Sequence, residues 1–227
     1  ADLSAISAIA KENGSLLVVD NTFLTPYFQR PLALGADIVV HSGTKYLSGH
    51  NDVIAGIVVV AGQELAEHFT MQIKSRGNGL APFDSWLVLR GLKTLALRME
   101  KHNENAARVA AWLRGHPKVK RVYYAGFEDH RGYGVSLRQT TGFGGMVSLE
   151  LDSAETVKQL LSRVKMILFA ESLGGTETLV TYPLTQTHES IPADIREKLG
   201  IHERFVRISV GIENSEDIIR DLEQALA

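Results

Sequence analysis

The sequence has no cysteine among its 227 residues, which removes disulfides, thiolate metal sites and a cysteine nucleophile from this stretch together. No apolar run approaches the roughly 20 residues that a bilayer span requires, and the first residues do not read as a signal peptide. Neither sign of charge is in excess: 24 Lys and Arg against 26 Asp and Glu leave a formal charge of −2. With a sequence pI near 6.5, the chain has no electrostatic reason to seek nucleic acid or an anionic membrane. Internal repeats and low-complexity linkers are missing too. What is present, 44% apolar and 22% charged residues, suits a soluble, core-forming protein, and a cytoplasmic location is expected.

Residues 2–13 read as a helix, with Leu3, Ile6, Ile9 and Ala10 at helical spacing, Asp2 as N-cap and Asn13-Gly14 as the stop. Leu16-Leu17-Val18-Val19 has no alternation, as expected of a strand buried on both faces of a parallel sheet. A short helical turn at 31–36 leads to a second buried strand at 38–40, and a third apolar run follows at 54–61. Strand, connection and strand at this spacing predict an α/β sheet, in which ligands gather beyond the carboxyl ends of the strands. Asp20 and Lys45 stand at two such ends.

Helical periodicity then runs from 84 to 113, with Trp86 and Trp112 on its apolar stripe as packing residues, and Gly115-His116-Pro117 ends it. Strands are predicted at 119–124, 145–151, 167–170 and 204–210, helices at 154–161 and 215–226, and a polar, Gly-rich loop at 126–142. This second part reads as a smaller α+β domain.

Ser42-Gly43-Thr44-Lys45 places two hydroxyls, a flexible glycine and an amine just past a buried strand. Such a loop can wrap a phosphate with N–H groups and side-chain oxygens, and a desolvated lysine there is a nucleophile toward carbonyls. The same letters also suit a helix-capping turn with a solvated lysine. Asp20 is open in the same way: a turn aspartate in Asp20-Asn21-Thr22, or the partner of a protonated pyridine nitrogen. His41 and His50 flank the lysine, but no carboxylate or thiolate stands at ligand spacing, so no metal site is expected. The basic stretch 116–121 reads as a solvated face.

Longer motifs narrow the choice. Val18-Val19-Asp20-Asn21-Thr22-Phe23, the run from His41 through Ser42-Gly43-Thr44-Lys45-Tyr46-Leu47 to Gly49-His50 and Asp52-Val53, Pro82-Phe83-Asp84-Ser85 and Arg90-Gly91-Leu92-Lys93-Thr94-Leu95 resemble the cysteine/methionine-metabolism (trans-sulfuration) family of pyridoxal-phosphate enzymes. Glu171-Ser172-Leu173-Gly174-Gly175 and Arg207-Ile208-Ser209-Val210-Gly211-Ile212-Glu213 extend the likeness over almost the whole chain. The resemblance implies a fold-type I transferase: an incomplete, parallel-rich large domain over 1–103 ending in a long bridging helix, then a small α+β domain over 104–227.

By position, the resemblance implies pyridoxal 5′-phosphate as cofactor, with Lys45 as its covalent anchor and proton carrier and Asp20 as partner of the ring nitrogen. Ser42, Thr44 and, as a more distant contact, Thr22 are implied on the cofactor side. Arg207, Ser172 and Glu171 are implied on the substrate side, Arg207 holding the α-carboxylate by bidentate hydrogen bonds. Gly43 departs from the alanine commoner in the family. The activity implied is γ-replacement on an O-acylhomoserine by cysteine or sulfide, with β- or γ-elimination of cystathionine as the alternative. A homo-oligomer, a dimer of dimers with shared active sites, is implied as well. In the family a substantial cofactor-domain portion precedes the Asp and Lys strands. The sequence is therefore expected to be the C-terminal part of a longer polypeptide, and a non-catalytic piece on its own is the alternative of another class.

Overall fold

A computed structural model describes residues 1–227. The chain divides into two compact units, Ala1–Ala96 with Arg131–Phe143, and Leu97–His130 with Gly144–Ala227. No helix is long and apolar enough to cross a membrane.

In the first unit, helix α1 (Leu3–Glu12) starts where Asp2 accepts the Ala5 N–H, as its sequence predicts. Strands β1 (Val18–Asp20) and β2 (Ile38–Ser42) pair in parallel, with Asp20 opposite Val40. The third apolar run supplies β3 (Gly56–Val60), which lies antiparallel to β2, so the three-stranded sheet is mixed. Leu3, Val19, Ala36 and Val39 form one small core, and Val53, Ala55 and Val88 another.

Burial here is less complete than the apolar runs suggest. Val18 is 54% exposed while Val19 is 8% exposed, so β1 is covered on one face only. Ile6 and Ile9 of the α1 stripe are exposed in the same way. Between the strands, the turn Pro31–Leu34 closes on Gly35 at φ 93°, and Ser7 Oγ donates to the Gly35 carbonyl. Helices α2 (Thr25–Phe28) and α3 (Gln63–Arg76) carry no stripe strong enough to announce them, and α3 buries no residue.

The long helical pattern is two helices, α4 (Pro82–Leu92) and α5 (Leu95–Arg114). Thr94 causes the break: its N–H and its hydroxyl both donate to the Gly91 carbonyl, closing a three-residue turn in place of the next helical bond. Trp86 is 54% exposed and rests against Phe83 with ring centroids 5.8 Å apart, so it is not the packing residue its position predicts. Within the stretch expected to be a loop, α6 (Tyr133–Gln139) returns to the first unit. Thr141 N–H donates to the Phe28 carbonyl and Gln139 Oε1 accepts the Leu3 N–H. Gly142 lies so close to the Phe28 ring that a Cβ would collide with it.

The second unit is built on five strands, β4 (Val119–Tyr123), β5 (Met146–Leu151), β6 (Leu168–Phe169), β7 (Leu179–Thr181) and β8 (Phe205–Ser209), in the order β4-β5-β8-β7-β6. Val147, Leu149, Leu151, Val180, Val206 and Ile208 alternate onto one face of this sheet, and all are fully buried. Helices α7 (Ala154–Arg163) and α9 (Ser215–Leu226) pack together and bury Leu160, Ile218, Leu222 and Leu226 completely. Ala106, Val109, Ala110 and Leu113 of α5 are equally buried, as the periodicity predicts. The short helix α8 (Ala193–Lys198) buries nothing. Ser148, Thr181, Arg207 and Ser209 face away from the apolar layer.

Candidate active site

Asp20 ends β1 and its carboxylate stays exposed, so its placement after an apolar run does not bury the charge. Its Oδ1 accepts the Thr22 N–H at 2.9 Å, which folds the chain back at the strand end. Thr22 is 8% exposed, and its hydroxyl oxygen accepts the Ser42 N–H at 2.8 Å. One threonine thus ties the loop after β1 to the loop after β2. Asp20, Thr22 and Ser42 come together through these two bonds, 20 residues apart in sequence.

Past Ser42 the chain makes a tight turn over Gly43–Leu47, which leaves helical geometry at Lys45 (φ −89°, ψ −131°). The turn is pinned on both sides of the lysine. Thr44 Oγ1 accepts the Ala55 N–H at 3.0 Å, and Gly49 N–H donates to the Lys45 carbonyl at 2.8 Å. Ser48 Oγ donates to the Thr44 carbonyl at 3.0 Å. Gly43 sits against Ala55, where a Cβ would approach the Ala55 Cβ to 3.0 Å. The lysine itself is half-buried. Thr44, placed on the cofactor side by its sequence position, turns its hydroxyl to the Ala55 backbone.

His41 is 6% exposed on β2. Burial pushes its imidazole below the usual value, against the pull of the Asp20 carboxylate and a hydrogen bond with the Asn21 backbone.

Behind Asp20, Asn21 and Gln29 are both buried and pair twice, Asn21 Nδ2 to the Gln29 carbonyl at 2.9 Å and Gln29 Nε2 to Asn21 Oδ1 at 3.0 Å. Gln139 of α6 donates to Gln29 Oε1 at 3.3 Å. Three amides therefore brace the residue after Asp20. A lysine amine, an exposed carboxylate and a serine at the carboxyl ends of adjacent parallel strands fit pyridoxal phosphate. The group needs an amine for its carbonyl, an acid for its ring nitrogen and polar groups for its phosphate.

The residues expected on the substrate side belong to the second unit. Arg207 lies on β8, half-buried, opposite Thr181 of β7, and its Nη2 reaches Thr181 Oγ1 at 3.5 Å. Thr181 donates onward to the Ala170 carbonyl at 3.1 Å. Glu171 is exposed, and Ser172 has φ 132°, a backbone setting that side chains rarely adopt. Gly174 N–H donates to Ser209 Oγ at 2.9 Å. Gly211 cannot carry a side chain, because a Cβ would strike the Thr176 carbonyl and the Glu213 carboxylate. Glu213 in turn accepts both the N–H and the hydroxyl of Thr178.

Sequence reasoning did not single out Thr181, Ser209 or Gln139, since each works through a partner far along the chain. Ser209 and Glu213 do fall inside the motif around Arg207, which is the one signal that could have found them.

The profile of the family described as Cys/Met metabolism PLP-dependent enzyme matches residues 1–227. The chain is 51% identical over 225 residues to a cystathionine gamma-lyase of Bacillus subtilis, covering 99% of this chain and 59% of that protein. It is 50% identical over 226 residues to a Bacillus subtilis cystathionine gamma-synthase/O-acetylhomoserine (thiol)-lyase, covering 100% and 56%. A crystal structure of cystathionine gamma-lyase from Lactobacillus plantarum complexed with L-serine superposes with a TM-score of 0.96 at 43% identity, covering 99% of this chain and 59% of that one. The chain thus spans less than two thirds of the length of these relatives. Profile, sequence and fold agree: this chain belongs to the Cys/Met metabolism family of PLP-dependent enzymes.

Proposed function

We propose that the chain serves a trans-sulfuration enzyme that makes or breaks a carbon–sulfur bond of cystathionine or of a homoserine-derived amino acid, at the γ- or the β-carbon. The observation that carries the reading is the joined loop pair after β1 and β2, which presents the Asp20 carboxylate and the Lys45 amine at neighbouring strand ends.

Lys45 would hold pyridoxal phosphate through Nζ, Asp20 would keep a proton on the ring nitrogen, and Ser42 would reach the phosphate. When bound, the cofactor supplies an electron sink for negative charge developing at the substrate Cα. With the cofactor and an amino acid in place, the Lys45 amine would take the proton from Cα and return protons along the substrate chain as general base and acid. Arg207 would hold the α-carboxylate with its planar donor pair. Glu171, exposed at the end of β6, is the group suited to a distal ammonium.

Cystathionine formation by γ-replacement on an O-acylhomoserine is the first reading, supported by the 50% identical relative that bears a synthase name. Elimination from cystathionine is the second, supported by the 51% identical gamma-lyase. Assembly as a homo-oligomer accompanies both, and the exposed Phe83, Trp86 and Leu89 of α4 are the surface it would use. Activity with O-acetyl- or O-succinylhomoserine plus cysteine or sulfide, against cystathionine alone, separates the readings. Cystathionine formed from the O-acylhomoserine plus cysteine, or homocysteine formed from the O-acylhomoserine plus sulfide, supports the first. Release of 2-oxobutyrate or pyruvate from cystathionine, with no replacement product, rejects it.

A further inference from the structure

The loop from Ala170 to Gly175 carries Glu171 and the strained Ser172, and its two ends are fastened to one face of one strand pair. At the first end, Thr181 donates to the Ala170 carbonyl, and Thr181 stands directly opposite Arg207. At the second, Ser209 accepts the Gly174 N–H at 2.9 Å, and Ser209 is two residues beyond Arg207 on the same face of β8. Ser209 is 2% exposed. A buried serine on a central strand is not needed for packing. Valine or alanine would fill the place without a hydroxyl to satisfy.

What the hydroxyl does is hold a loop in a backbone state it would otherwise leave. Ser172 at φ 132° is costly for a residue with a Cβ, and such strain persists only where the surroundings over-determine it. On the Gly174 side that support includes the bond to Ser209 and the burial of Leu173, 5% exposed, while Gly174, at φ 78°, has no Cβ to restrict the turn.

We propose that Ser209 is a positioning residue for the amino-acid carboxylate site: its hydroxyl holds Ser172 in the strained conformation on the strand pair that carries Arg207. This rests on the reading of Arg207 as the carboxylate-binding residue. Ser209 touches neither substrate nor cofactor. It acts through Gly174.

The test is binding of L-serine, by calorimetry, to the complete enzyme loaded with pyridoxal phosphate, with thermal unfolding measured in parallel. Ser209→Ala weakens binding about tenfold, as loss of one buried hydrogen bond from a preformed site requires. Ser209→Thr keeps the acceptor and restores most of the affinity. Placed on Ser172→Gly, where no strain needs support, Ser209→Ala has a much smaller effect. The proposal is overturned if Ser209→Ala binds L-serine as the unaltered enzyme does, or if it only lowers the Tm. An equal penalty in both backgrounds also overturns it. Arg207→Lys is the control: if it leaves binding unchanged, the carboxylate reading itself fails, whatever Ser209 does.

Discussion

The two units differ in how completely the residues of this chain cover their apolar faces. In the second, the inner face of a five-stranded sheet and the faces of α5, α7 and α9 are wholly buried, so Leu149, Leu160, Ile208, Ile218 and Leu222 have no exposed surface. In the first, a three-stranded sheet leaves Val18 54%, Val58 43% and Val59 42% exposed, and α3 buries nothing. The groups that would hold the cofactor stand on this sheet, in a chain that spans less than two thirds of its relatives' length, and are tied by hydrogen bonds: Thr22 across two loops, Thr44 to Ala55, Asn21 to Gln29. The second unit keeps its shape by close packing. In the first, polar ties and backbone contacts set the direction of the strand ends.

Four tests, the second a pair of variants, sharpen or break that contrast, from the largest effect downward. Lys45→Ala should lower turnover by roughly a thousandfold or more and abolish the visible absorbance of bound cofactor, while the Tm stays where it was. A fall in Tm comparable to that of a core variant would show that the lysine turn is part of the packing. Leu149→Ala, at a site with no exposure, should cost about 3 kcal/mol in urea unfolding. Val18→Ala, at the exposed position on β1, should cost less than about 0.5 kcal/mol; similar costs for the two would erase the contrast.

The third change is in pH. His102 on α5 is fully buried, and its Nδ1 lies 2.7 Å from the Val210 carbonyl, to which it donates. Burial lowers its pKa from 6.5 to about 4, with the Val210 bond opposing and Arg98 adding to the shift. The unfolded chain takes up the proton first as pH falls. Stability is therefore full above pH 6.5 and is lost as pH drops toward 4, by on the order of 2–3 kcal/mol. Urea unfolding at the two ends of that range measures the loss, and a His102→Gln variant with the same pH dependence would refute its assignment to this group. Fourth, Gly91→Ala drives a Cβ into the Ser48 carbonyl, three residues past Lys45. It should cost about 1–3 kcal/mol and loosen cofactor retention together, whereas a loss of stability with retention intact would uncouple α4 from the lysine turn.

Most of this arrangement is legible in the residues, for reasons that differ from place to place. Asp20 and Lys45 are legible because a charge at or just past an apolar run marks a strand's carboxyl end: β1 ends at Asp20, and β2 ends at Ser42, three residues before Lys45. α9 and α7 follow from strict helical spacing and their caps, Asn214 and Ser153. β7, three residues long, is too short to show a period, and with it Thr181 goes unseen. The return of α6 to the first unit is hidden because its contacts with Phe28 and Leu3 cross more than a hundred residues. The break at Thr94 is hidden because threonine is tolerated in helices and only its bonds to the Gly91 carbonyl reveal the turn.

The account turns on Lys45 as the residue that carries the cofactor. Borohydride treatment of the protein loaded with pyridoxal phosphate, followed by peptide mass mapping, reads that assignment directly. A phosphopyridoxyl group confined to the peptide containing Lys45, and absent from Lys45→Ala, is the expected result. A label spread over surface lysines, or carried elsewhere with Lys45 unmodified, would contradict it.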